Sequence, residues 1–141
     1  MKLAVQRASR ASHVPSDATL RRWARATGVE GTVTVRYVGS AESRRLNREF
    51  RHKDHATNVL SFPYASKPLS GDLVICAPVV AREAREQAKD VRAHHAHMLV
   101  HGLLHLAGYD HERGKREAAR MENRERRILA ALGFADPYRA R

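Results

Sequence analysis

The chain is poor in cysteine, in aromatic residues and in acidic residues. Of its 141 residues one is cysteine, Cys76, and 6% are aromatic, with a single tryptophan. One cysteine excludes an internal disulfide and fits a reducing compartment. No apolar run approaches the ~20 residues of a membrane-spanning helix, so no membrane partner is expected. The opening stretch, MKLAVQRASR, turns polar and basic by Arg7 and lacks the apolar core of a secretory signal. These absences predict a cytoplasmic protein. The length predicts one domain, residues 1–141, with a single core.

Fifteen acidic residues face 26 basic ones, a net charge of +11, and only five of the basic residues are lysine. Such an excess favours polyanionic partners, nucleic acid first. Arginine is the side chain best suited to bidentate phosphate contacts. A genome-wide preference for arginine codons would account for the choice of residue but not for the net charge.

Histidine is the abundant functional residue, nine in all. Three of them, in HMLVHGLLHLAGYDH, stand at the spacing H-x-x-x-H-x-x-x-x-x-H: His101, His105 and His111. On a helix His101 and His105 share a face, with Cβ atoms about 6 Å apart. Gly108 can end that helix in a left-handed conformation. The chain then turns back through Tyr109 and Asp110 to bring in His111. Three neutral imidazoles and an open fourth position make a catalytic metal site, whereas structural zinc sites are closed. Three imidazoles suit Zn2+ best, one per chain, though nickel, cobalt or iron would bind. The spacing also matches the metzincin peptidases, H-E-x-x-H-x-x-G-x-x-H. Here Gly102 stands where those enzymes carry the glutamate that serves as general base.

The remaining patterns place this segment in a fold. Leu3 to Gln6 reads as an edge strand. Ser16 to Thr27 has helical periodicity stopped by Gly28, and Trp23 on its apolar face reads as a core anchor. Thr32 to Val38, TVTVRYV, alternates as a strand. Ser40 caps a short helix, Ala41 to Phe50, with Arg44, Arg45, Arg48 and Arg51 on its basic side. Asn58 to Phe62 reads as a strand, held to a sheet edge by Pro63. The loop before it carries Arg51, Lys53, Asp54 and Thr57, a setting suited to substrate; His52 and His55 read as surface residues. Ser70-Gly71 reads as a turn and Leu73 to Cys76 as a strand buried on both faces. Asp72, at its start, either caps the turn or lies near the metal.

A long helix is expected from Val79 to Ala107, charged in its first half and apolar nearly all round in its second. His97 lies one turn before the metal pair, as a hydrogen-bonding neighbour or as a core histidine; His95 points elsewhere. Arg113 to Leu132 forms a last helix on the stripe Met121, Ile128, Leu129 and Leu132. Its arginines and glutamates read as pairs on a solvated face. The tail beyond Gly133 reads as loosely ordered.

Three blocks in order, FRHKDHATNVLSFP, SGDLVIC and HGLLHLAGYDH, closely resemble the signatures of the YbeY family of bacterial endoribonucleases, and the likeness covers most of the chain. It implies an α+β fold: a small, mostly parallel four-stranded sheet with one antiparallel edge strand, four to five helices, and a metal at the C-terminal end of the long central helix. The four strands read above agree independently. It implies a single-strand-specific, metal-dependent hydrolase of RNA that matures ribosomal RNA, including the small-subunit 3′ end, and acts in ribosome quality control. Its partners would be ribosomal RNA, the small ribosomal subunit and assembly factors. The implied ligands are His101, His105 and His111, and Arg51 matches the family's functional arginine. Arg51 and His101 are the expected catalytic residues; Asp54, Asp72 and His97 are candidate proton relays. Two alternatives stand beside this: a metalloendopeptidase with an unusual base, and a ribosome-associated module with a structural metal.

Overall fold

The structure is a computed structural model that describes residues 1–139. Its elements run β1 (Lys2–Arg7), α1 (Asp17–Ala26), β2 (Thr32–Val38), α2 (Ser40–Arg51), β3 (Val59–Ser66), β4 (Leu69–Cys76), α3 (Ala77–Glu86), α4 (Val91–Leu106) and α5 (Lys115–Ala131). The four strands form one sheet in the order β1-β2-β4-β3. β1 pairs parallel with β2, and β2 parallel with β4. β3 closes the edge antiparallel to β4, and the pairing slips between Pro63 and Ala65, where proline has no amide to give the ladder. This is the α+β architecture expected, with five helices.

β4 is buried on both faces. Leu73 and Ile75 join the main core with Trp23, Tyr37, Leu99, Leu103, Met121 and Leu129. Val74 and Cys76 join a smaller cluster on the other face with Val38, Leu60 and Val79, against Leu46 of α2. α4 packs against β3, β4, α1, α3 and α5. Its residues from His94 to Val100 are all buried, which is why its sequence is apolar nearly all round. Among the described residues no helix is long and apolar enough to cross a membrane.

Several expectations need correction. The helix expected across 79–107 is two helices, separated at 87–90, where Ala88 takes a left-handed conformation (φ 49°). An unbroken helix of that span would run roughly 43 Å at 1.5 Å per residue. The break instead lets α3 fold back onto α4 and bury Val79, Val80 and Ala84. Ser70-Gly71 lies inside β4; the hairpin turns at Lys67-Pro68, a cis peptide, so the strand starts at Leu69. Gly39, not Ser40, is the cap position of α2. The tail beyond Gly133 is anchored: Phe134 meets the Trp23 ring edge-on at 5.6 Å, and the Tyr138 hydroxyl reaches α5. Residues 140–141 of that tail lie outside the described residues. Trp23 is fully buried, as a core anchor should be.

Candidate metal centre

α4 delivers two histidines to one pocket. His101 and His105 stand one turn apart and line this pocket with Val59, Leu60 and Ser61 of β3. Gly102, between them, faces β4. A Cβ there would lie 2.8 Å from Leu73 Cδ2 and 3.3 Å from Val59 Cγ2, so the helix sits on the strand with no room for a side chain. A glutamate has no room at this position, so the peptidase alternative lacks its base at the place where the metzincins carry it.

Gly108 ends the helix region with φ +105°, a conformation costly for residues with a Cβ. The chain reverses there and carries His111 back. The His111 ring lies 5.0 Å from that of His101 and 6.3 Å from that of His105, centroid to centroid. All three rings line a pocket of about 340 Å³, together with His97, Arg51, Lys53, His55, Asn47 and Asn58. The three predicted histidines and Arg51 thus line one pocket, but the ligand atoms of His101, His105 and His111 do not all lie within 4.8 Å of one another. The Arg51 guanidinium is half exposed and lies 3.6 Å from Glu112, a loose surface pair that a phosphate can displace.

Hydrogen bonds fix which nitrogen each histidine offers. His101 Nδ1–H donates to Glu125 Oε2 at 3.2 Å, and His105 Nδ1–H donates to the Tyr109 carbonyl at 3.0 Å. Carboxylate and carbonyl oxygens only accept, so both rings must be protonated at Nδ1 when neutral. That leaves Nε2 as the lone-pair donor of each. Oriented imidazoles with a carboxylate or carbonyl behind them are the usual surroundings of a metal ligand. The donor set therefore fits a divalent transition metal.

Glu125 is the residue that sequence reasoning missed. It is fully buried in α5, and three donors converge on it: His97 Nε2–H at 2.6 Å, Tyr138 O–H at 2.7 Å and His101 Nδ1–H. Burial pushes its carboxyl up, but the bonds from His101, His97 and Tyr138 outweigh that and hold it at about 2. The buried His97 ring is kept below the usual imidazole range by desolvation. It lies one turn before His101, its Nδ1 buried and without a partner among the described residues. The signal in the sequence was position: Glu125 interrupts the apolar stripe Met121, Ile128, Leu129, where a solvated glutamate has no place.

Two trios can gather around an ion, namely His97, His101 and Glu125, and His105, Asp110 and His111; within each the ligand atoms lie within 4.8 Å of one another. In the first trio the 2.6 Å contact is a hydrogen-bond distance. Ligand atoms around a tetrahedral zinc stand about 3.3 Å apart, given bonds near 2.0 Å. His101 links the trios, bonded to Glu125 on one side and facing His111 on the other.

The other candidates lie elsewhere. Asp54 is exposed and held in a fork by Arg44 at 2.8 and 2.9 Å, which keeps its carboxyl below the usual range. Asp72 accepts from the Tyr64 hydroxyl at 2.5 Å and does not line the pocket. His52 and His55 are exposed as expected, although His55 reaches the pocket rim.

Comparison with known proteins gives the fold and the family. A solution structure from Thermotoga maritima, TM1509, shares the fold at a TM-score of 0.62, with 24% identity over 98% of this chain and 99% of that one. Two curated proteins named Endoribonuclease YbeY are much nearer in sequence. One, from an Acidovorax species, is 59% identical over 84% of this chain and 80% of its own length. The other, from Aromatoleum aromaticum, is 54% identical over 98% and 92%. A family model described as Endoribonuclease YbeY matches residues 6–133, which include α2, β3, β4 and the whole histidine segment, and the chain belongs to that family.

Proposed function

We propose that this protein is a zinc-dependent endoribonuclease that cleaves single-stranded RNA, and that its cellular substrate is ribosomal RNA. The observation that carries the reading is the convergence of three imidazoles on a pocket that also holds Arg51 and Lys53. Membership of a family whose curated proteins are named endoribonucleases supports the reaction class. His101, His105 and His111 hold the ion, the first two through Nε2, with Glu125 and the Tyr109 carbonyl fixing their tautomers. A divalent metal held there supplies the Lewis-acid chemistry of phosphodiester hydrolysis.

The protein's own groups do the rest. Arg51 lies at the pocket mouth, where its guanidinium can leave Glu112 and meet the non-bridging oxygens as charge builds on them. Lys53 adds a second cation, and Asn47 and Asn58 make the wall behind. Asn58 is held in place by Glu83 at 3.1 Å, and Asn47 by the His55 carbonyl at 2.9 Å. Small-subunit ribosomal RNA in its assembly particles, in the cytoplasm, is the setting that the family resemblance supports.

The test pairs elemental analysis with cleavage of unstructured RNA. Wild type should carry about one zinc per chain and cleave. His101→Ala should lose both metal and cleavage. Arg51→Ala should keep its metal and lose about 10²–10³-fold in kcat, the range for removing one transition-state donor. Cleavage by metal-free protein would refute the reading, as would hydrolysis of casein in preference to RNA.

A further inference from the structure

The outer face of α5 carries a second cationic surface. Arg116, Arg120, Arg124 and Arg127, with Asn123, surround a concavity of about 510 Å³ that is floored by Tyr109. The Arg120 guanidinium lies over the Tyr109 ring, 4.5 Å from its centroid. Charge here is barely offset. Arg120 has one loose pair, to Glu117 at 3.7 Å, and Arg124 donates to the Thr27 carbonyl at 3.4 Å. Arg116 and Arg127 have no acidic partner among the described residues. The contrast with α2 is informative, because there Asp54 ties down Arg44 and, at 3.7 Å, Arg48.

A cluster of guanidinium groups without counter-charges repels itself, which costs stability unless an anion answers it. The spacing says which anion. Arg116, Arg120 and Arg124 recur every four residues, roughly 6 Å of rise per step at 1.5 Å per residue. A row of forked donors at that pitch suits the evenly repeated phosphates of a nucleic-acid strand. The position says which strand. Tyr109 floors this concavity, its carbonyl orients His105, and the chain from it runs directly to His111 and Glu112 of the metal pocket. One turn of backbone thus borders both sites.

From this juxtaposition we infer that the face of α5 bearing Arg116, Arg120, Arg124 and Arg127 is a second RNA-binding site. It would take the phosphate backbone of the substrate strand after that strand has crossed the 109–112 turn. This rests on the RNA reading of the metal pocket. Short oligonucleotides that fill only the pocket would not reach it, whereas longer strands would span both. The site therefore sets affinity for long RNA without touching the reaction.

The experiment compares metal-loaded wild type with Arg116→Glu/Arg120→Glu/Arg127→Glu, and with a milder Arg116→Ala/Arg127→Ala variant that leaves the Tyr109–Arg120 stack intact. Binding of a 5-nucleotide and a 30-nucleotide unstructured RNA is followed by fluorescence anisotropy across a salt series. Cleavage of the short substrate and the thermal melt are measured alongside. The expected result is at least a tenfold loss of affinity for the long RNA in the triple variant, with a smaller loss in the double. The slope of log K against log salt should fall by about 0.7 for each contact removed. Short-substrate cleavage and the melting temperature should stay at wild-type values. Equal affinity and slope for wild type and both variants on long RNA would overturn the inference while leaving the metal-pocket reading intact. Tighter competition by poly-glutamate than by RNA would also overturn it, in favour of an acidic protein partner. A wild type that neither binds nor cleaves RNA would overturn both readings together.

Discussion

Five of the nine histidines lie on α4, and they fall into two groups with opposite fates. His94, His95 and His97, near its start, are buried, although His97 still touches the pocket wall, whereas His101 and His105, near its end, are more open to that pocket. The His95 ring lies against Tyr37 and meets His13 at 2.9 Å, nitrogen to nitrogen. His101 and His105 spend one nitrogen on an oxygen and keep the other for a ligand. The residue type is the same and the helix is the same. What differs is whether the environment leaves a lone pair facing space. His95 in the first group stabilises the fold only while it is neutral; the second group presents a nitrogen to the pocket.

The contrast breaks most visibly in acid. Burial first, and then the charges of His13 and His94, hold His95 at about 3, against 6.5 in an unfolded chain. A lowered pKa means that the unfolded chain takes the proton first. Stability should therefore be complete above pH 6.5 and fall as the pH drops from there towards 3. The slope approaches 1.4 kcal/mol per pH unit, a loss of a few kcal/mol in all. Urea unfolding at pH 7.5, 6.5 and 5.5 measures it. His95→Gln should flatten the slope in this window, and an unaltered slope would assign it to other groups.

The second group is sharpened by removing what stands behind it. Glu125→Gln keeps the shape but cannot accept from His97, His101 and Tyr138 together. Metal affinity should drop about 10- to 100-fold, the range for residues that orient metal ligands. Competition with a chelator reads it directly, and nitrogen NMR of His101 should show a mixture of tautomers. An unchanged affinity would mean that His101 is oriented by packing alone. The smallest effect is expected from Tyr138→Phe, which removes one of three donors to the carboxylate. A loss of about 1 kcal/mol in stability and under tenfold in metal affinity should follow. A larger loss would show that the tail, and not α5, holds the carboxylate in place.

Local signals carried most of the fold. TVTVRYV alternates because one face of β2 is core, and Ser16 caps α1 by accepting from the Thr19 amide, as its type suggests. Pro63 marked the sheet edge correctly. The break between α3 and α4 was hidden because EQAKD contains neither glycine nor proline, and Ala88 supplies the left-handed turn under tertiary compulsion. The start of β4 was hidden because Ser-Gly is a turn pair by composition, and only pairing with β3 makes it strand. The three histidines were legible because their spacing is local. Glu125 and Tyr138 were not, since they meet His97 from 28 and 41 residues away. Their only trace was a charge placed where a helix needs apolar surface.

The closeness of α4 to β4 at Gly102 has a consequence for how this enzyme can change. With backbone resting on Leu73 and Val59, the helix between the two pocket histidines admits no new substituent on its sheet-facing side. Natural or engineered variation in substrate preference is left to the two flexible-sequence borders around it, the connection from Arg51 to Asn58 and the bend from Gly108 to Glu112. Libraries confined to those borders should retain the ion while altering which strands are cut.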